Sequence, residues 1–398
     1  MASVCILSCQ HVPDDMRVTH RIGRRLREVG FDVTWVGPER GRTGEAYGIK
    51  FVYYPASQSR LGRLTHGIRL WRTVRRIEPH DVYLAVEPDS AEVALRIARA
   101  TGGKAILDIH EIYHEEMLMR WLPRPLVRLA GGYVQRRISR ICHKCDLVVG
   151  VGQTRLDPYT DETVPRMVVR HCVPTALAPR RGRIPFDGEA SHFVVIHGKA
   201  TMNHGTSEVL HAIAALKSEY SVPCRVVMFN VRKDVPNFQL TDVGRLAEKL
   251  GVAGNIDLRD PVPFGDMFPL MRSCDVGVIA YQRTWGQRCM PNRVFEYMAV
   301  GLPVVVPVYA EEMVRLVSHY RCGVLCDTSD PKQLAQALLR LWQDKESARR
   351  MGLNGREAFE RELNWERESK PLIDWIDSHA GQGRHSANLQ ELNGSGCR

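Results

Sequence analysis

The chain has 398 residues, 44% of them hydrophobic and 25% charged, a globular balance that excludes fibrous and disordered classes and by length favours two domains. Its formal charge of +10 favours anionic partners: phosphorylated small molecules, acidic membrane surfaces or nucleic acid. The bases are spread over both halves with no helix-turn-helix or zinc-finger pattern, which sets nucleic acid aside.

In chain order, Ser3–Ser8 predicts a first strand, Arg17–Val29 a helix closed by Gly30, and Asp32–Val36 a second strand. Arg60–Ile77 predicts a helix, Asp81–Ala85 a strand, Ser90–Ala100 a helix and Lys104–Ile109 a strand. Leu126–His143 and Leu147–Val151 repeat the helix and strand. This rhythm predicts a parallel sheet with helices on both faces. Between Val173 and Ser191, three prolines and two glycines interrupt it as a linker would. A second series follows: strands Phe193–His197, Arg225–Phe229, Ile256–Leu258, Val276–Ala280 and Val304–Pro307. Helices are predicted over Thr206–Glu219, Thr241–Leu250, Asp266–Arg272 and Val294–Val300. Lys345–His379 is helical in pattern, and the last residues lack periodicity.

The expected fold class is therefore α/β, with two tandem Rossmann-like, doubly wound domains. The N-terminal domain is placed at 1–174, a linker at 175–192 and the C-terminal domain at 193–355. A closing helix at 356–379 and a disordered tail at 380–398 complete the chain. Open parallel sheets bind ligands beyond the carboxyl ends of their strands, so two facing domains would hold a ligand in the cleft between them.

The most informative stretch is Pro291–Pro307, Pro-Asn-Arg-Val-Phe-Glu-Tyr-Met-Ala-Val-Gly-Leu-Pro-Val-Val-Val-Pro. It reads as a helix N-terminus, a glycine stop and a buried strand. The free N–H groups of such a terminus suit a phosphate, and Glu296, one turn in, can accept from ribose hydroxyls. This stretch resembles the nucleotide-sugar motif of GT-B glycosyltransferases, family 4 above all. Further landmarks fall in the family's order: Asp14–Val18, Leu107–Glu111, Ile196–Lys199 with Asn203–Gly205, Asn255–Gln282 and Asn364–Glu366.

The resemblance implies transfer of a hexosyl group, with retention and without a metal, from a nucleotide-diphosphate sugar to a hydroxyl acceptor. The acceptor would be a glycan, a lipid-linked sugar or a natural product. The donor, a UDP- or GDP-sugar, is the only cofactor-like molecule implied; no prosthetic group is. Donor-binding residues would be Gly198, Lys199, Asn203, His204, Met290, Pro291, Asn292, Arg293, Val294 and Glu296. Lys199 would stabilise the leaving diphosphate. His204 is a weaker cation, with an ordinary loop histidine as the competing reading. The family's first glutamate, eight positions before Glu296, is Arg288 here, which leaves the donor sugar open.

His110 ends a buried strand, and the resemblance gives it a catalytic contact to donor sugar or acceptor. The loop carrying His11, Asp14, Asp15 and Arg17 falls on the acceptor side, where Glu87, Asp89 and Glu111 add acid; Asp15 reads equally well as a helix cap. Two Arg-rich amphipathic stretches, Arg60–Arg76 and Met117–Arg140, fit either peripheral contact with anionic lipid or core-facing helices with a solvated basic face. Cys142-His-Lys-Cys145 lacks a second pair at zinc spacing, so no metal site is expected. The 11 cysteines form no regular framework and read as reduced thiols. No apolar run reaches the ~18–20 residues of a bilayer span and no secretory signal is read, so the expected location is cytoplasmic, at most peripheral at the inner membrane face. Two other readings stay open: a sugar-nucleotide epimerase of the same fold, and a catalytically silent sugar-nucleotide-binding protein at a membrane.

Overall fold

The structure is a computed structural model that describes residues 2–39, 43–57, 62, 65–113, 124–178, 192–201, 204–229, 240–260 and 262–381. The chain divides into two compact units, Met1–Arg170 with the segment from Glu368 onward, and His171–Arg367.

The first unit holds an eight-stranded sheet of β1 (Ser3–Leu7), β2 (Asp32–Glu39), β3 (Gly44–Ala46), β4 (Ile49–Pro55), β5 (Val82–Ala85), β6 (Lys104–Ile109), β7 (Leu147–Gly150) and β8 (Arg166–Val168). Their spatial order is β3-β4-β2-β1-β5-β6-β7-β8, parallel except for the β3–β4 pair at the edge. β1 is buried over its whole length, because helices cover both sheet faces and leave no solvated side. The order reverses at β1, which pairs with β2 on one side and β5 on the other. A crevice therefore opens beyond the carboxyl ends of β1 and β5.

The second unit repeats the plan with β9 (Phe193–Lys199), β10 (Cys224–Phe229), β11 (Ile256–Leu258), β12 (Val276–Val278), β13 (Val304–Pro307) and β14 (Gly323–Cys326). The order is β11-β10-β9-β12-β13-β14, all parallel, with the reversal between β9 and β12. One apolar cluster includes Ile196, Phe295, Met298 and Phe359, and another Val195, Leu210, Val226 and Leu338. Alternate residues of β9 thus feed opposite faces, as the pleat requires.

Three expectations change. The helical pattern at Lys345–His379 is not one helix but three, Lys345–Arg361, Trp365–Glu368 and Lys370–His379. The break is made by Asn364, whose amide donates to Phe359 O while its Oδ1 accepts from Arg367 N. The division between the units falls at Arg170/His171, ahead of the expected linker, and the final helix returns to the first unit. There Arg170 donates N–H and guanidinium to Glu368, at 2.9 Å each. Residues 179–191 of the expected linker and 382–398 of the expected tail lie outside the described residues.

Candidate active site

In the first unit, the loop after β1 is held by side chains from three other elements. Tyr54 donates to Ser8 O at 2.9 Å, and His66 Nδ1 lies 2.7 Å from Cys9 O. Glu87, buried at the end of β5, accepts from Ser8 Oγ and from the N–H groups of Cys9, Gln10 and His11. It also caps the helix Pro88–Thr101, in a reciprocal capping box with Ser90. Glu87 was expected to face the acceptor; the structure instead engages both its oxygens in shaping the loop. Ser8 is the residue that the sequence reading missed, with only its place at a strand end as a signal.

Arg17 is also corrected. It is 5% exposed, and its Nε and Nη2 each lie 2.6 Å from an oxygen of Asp108, a fork-on-fork pair that leaves no face for an acceptor. Asp15 does act as a helix cap, its Oδ1 accepting from Arg17 N and Val18 N at 2.8 Å. Its Oδ2 lies 3.0 Å from His11 Nδ1, and His11 Nε2 lies 3.1 Å from Nε2 of His110. His110 Nδ1 is 4.0 Å from Asp108 Oδ2 and has no hydrogen-bond partner among the described residues. Asp108 thus makes no hydrogen bond to the His110 ring, which meets His11 instead. Burial alone would lower the His11 pKa, but the hydrogen bond to Asp15 and the charges of Glu87, Asp15 and Glu111 push it up to about 9. Burial raises the Asp15 carboxyl, but the hydrogen bond and charge of His11 together with the N–H groups of Val18 and Arg17 outweigh it, bringing it down to about 2. His110 is pushed down by burial, against the pull of Asp108. Asp14 is exposed and pairs with His20, and Asp89 is exposed in the first turn of its helix.

In the second unit, β9 ends in His197-Gly-Lys, with His197 buried and Lys199 exposed. A Cβ on Gly198 would lie 3.2 Å from Arg293 Nε, so glycine lets that guanidinium approach the strand. Gly205 turns the loop into the helix Thr206–Ser218 at φ +75°, and a Cβ there would lie 1.8 Å from Ala280 O. Asn203 lies outside the described residues. His204 bonds through Nδ1 to Thr201 and stands edge-on to Tyr281. Burial, then the charges of His197, Lys199 and Arg293, bring its pKa down to about 3, so it supplies no cation at neutral pH. Burial and Arg293 likewise bring His197 down to about 4.

The helix Asn292–Val300 starts at Pro291 with no side-chain cap. Glu296 is 4% exposed, and its Oε2 has no hydrogen bond among the described residues although Arg293 Nε lies 3.4 Å away. Burial opposes the Arg293 charge, but Glu296 together with Tyr297 and Tyr281 holds the Arg293 pKa up. Met290 and Val294 are corrected: both side chains pack into the core, leaving only their backbone for a ligand. Pro291 and Asn292 are half-buried at the helix mouth.

The basic stretches divide similarly. In the helix His66–Val74 the core side includes Leu70 and Val74, while Ile68 is 56% exposed. Residues 58–61, 63–64 and 114–123 lie outside the described residues. Cys142 and Cys145 are buried, free thiols. Among the described residues, no helix is long and apolar enough to cross a membrane.

Residues 17–177 match the family model described as Glycosyltransferase Family 4, and residues 191–344 the one described as Glycosyl transferases group 1. An MMP alpha-(1->4)-mannosyltransferase from Mycolicibacterium hassiacum is 27% identical over 256 residues, 62% of this chain and 57% of that protein. The match thus spans little more than half the length of that curated relative. Sucrose-phosphate synthase from Thermosynechococcus elongatus shares the fold with a TM-score of 0.75 at 13% identity, covering 95% of this chain and 99% of that one. Anabaena HepE in complex with UDP-glucose does so at 0.71 and 13%, covering 95% and 100%. A glycosyltransferase from Rickettsia africae gives 0.72 and 13%, covering 95% and 98%. With one family model over each sheet and the fold shared almost end to end, the chain is a GT-B glycosyltransferase that resembles family 4.

Proposed function

We propose that the second unit binds a UDP- or GDP-sugar and that the chain transfers its hexosyl group, with retention, to a hydroxyl on a free or lipid-linked acceptor. The observation that carries the donor side is Glu296: among the described residues, a buried carboxylate oxygen without a hydrogen bond, one turn into a helix whose first N–H groups have no side-chain cap. Such an oxygen is stabilised by ribose hydroxyls, and the helix mouth at Asn292 and Arg293 by a diphosphate. Gly198 lets phosphate and Arg293 approach closely, and Lys199 neutralises the charge that grows on the leaving diphosphate. In the retaining reaction the acceptor hydroxyl attacks from the face that the diphosphate leaves, and the departing phosphate oxygen takes its proton. That chemistry needs no protein carboxylate pair and no metal. The acceptor is placed on the first unit, beyond the carboxyl ends of β1, β5 and β6, against His11, His110 and Glu111, with Asp14 and Asp89 on the rim.

The solved relatives with UDP and UDP-glucose support a sugar-nucleotide donor, and the curated relative's name supports a hexose. The test is a thermal-shift screen of UDP- and GDP-sugars on wild type and Glu296→Ala. One donor should raise the wild-type melting temperature with concentration and lose that effect in the variant. No shift with any sugar nucleotide, or an equal shift in both proteins, would overturn the reading.

A further inference from the structure

We propose that His11 and His110 hold one proton between them and act as a pair, His11 being the positioning residue that keeps the His110 ring neutral, oriented and in its Nδ1–H tautomer. This rests on the reading that the carboxyl edge of the first sheet receives a substrate.

The argument starts from the 3.1 Å contact between the two Nε2 atoms. Two ring nitrogens repel at that distance if both present lone pairs or both carry hydrogen, so one donates to the other. The surroundings decide which. His11 faces anions: Asp15 Oδ2 at 3.0 Å from its Nδ1, Glu87 Oε1 at 3.7 Å from its Nε2, and the charge of Glu111. Asp15 cannot swing away, because its other oxygen holds the N–H groups of Arg17 and Val18. His110 is more deeply buried, and the Arg17 guanidinium lies between it and full use of Asp108. The charge of Glu111 and the edge of Tyr113 also act on His110. The shared hydrogen therefore belongs to His11, an imidazolium donating to Asp15 and to His110. The His110 Nε2 lone pair accepts it, which leaves the His110 hydrogen on Nδ1. The upward displacement of the His11 titration and the downward displacement of that of His110 agree with this. A substrate hydroxyl that docks on His110 meets the same Nε2 lone pair and must replace His11 there.

The test is proton–nitrogen correlation NMR of the imidazoles in the full-length, substrate-free protein between about pH 5 and pH 10, with His11→Gln and His110→Gln for assignment. His11 should remain doubly protonated well above its ordinary midpoint, and His110 should stay neutral with its hydrogen on Nδ1. Asp15→Asn should move the His11 midpoint down by about one pH unit or more. A His11 midpoint at its ordinary value near ~6.5, or a His110 hydrogen on Nε2, would overturn the proposal. The wild-type titration alone decides this if a variant fails to fold. With a donor in hand, the pH–rate profile gives a readout that mere structural support would not move. Wild type should lose rate on an alkaline limb that His11→Gln, a non-titrating N–H donor, lacks; the same limb in both proteins would count against the pair. The NMR result stands whether or not hexosyl transfer is found, so the two readings fail separately.

Discussion

Arg17 and Asp108 lie 91 positions apart, and burial makes them interdependent. Removing one partner leaves the other an unpaired buried ion. Asp108→Ala should therefore lower unfolding free energy by about 3–5 kcal/mol in urea titrations. A loss under about 1 kcal/mol would mean that the exposed-pair rule applies instead. Glu296 is the reverse case, a buried carboxylate whose outer oxygen waits for a donor. Glu296→Ala should weaken sugar-nucleotide binding by about 1.5–3 kcal/mol, the range for hydrogen bonds to a charged group, with the fold intact by circular dichroism. For His110, alanine should slow transfer about ten- to a thousand-fold by lost positioning, while calorimetric nucleotide affinity is kept. Lost nucleotide binding would instead make His110 structural.

At the scale of elements, the loop from Lys199 to the helix Thr206–Ser218 depends on Gly205, where both conformation and space exclude a side chain. Gly205→Ala should destabilise the chain by more than the ~1 kcal/mol typical of point substitutions, read as a fall in urea midpoint. Strand periodicity made most of the two sheets legible: Lys104–Ile109, Ile256–Leu258 and Val304–Pro307 agree with the sequence reading to the residue. β4 was not read, because Ile49–Pro55 adds tyrosines to an irregular pattern beside an edge hairpin. The helix Asn292–Val300 was legible because a proline before it and a left-handed glycine after it are local signals. The assignments of Arg17, Glu87 and Val294 were misjudged for a common reason. Residue type and loop position reveal a charge or a helix turn, but not which distant group has already claimed the side chain. The partners of Arg17 and Glu87 lie 91 and 79 positions away, beyond any spacing argument.

For the whole molecule, opposed histidines set the pH dependence of stability. His11 has its pKa raised from 6.5 to about 9 on folding, so its stabilisation is complete below the unfolded value and is lost as pH rises toward 9. His197 is lowered to about 4, so between there and 6.5 the unfolded chain binds the extra proton and stability falls as pH falls. Unfolding free energy should therefore peak near neutrality. His11→Gln should flatten the alkaline limb, and His197→Gln and His204→Gln should each lessen the acid one, all read from urea titrations across pH. The Arg170–Glu368 clamp has a consequence for how this chain can be rebuilt. The chain leaves the first unit just after Arg170 and re-enters it at Glu368, and those residues are bonded to each other within it. In topological terms the second unit is an insertion whose two stems start side by side. A short glycine–serine graft from Arg170 to Glu368 should close the gap and yield an eight-stranded protein that unfolds in one cooperative step. The excised piece, His171–Arg367, would then be free for exchange between relatives as a six-stranded cassette.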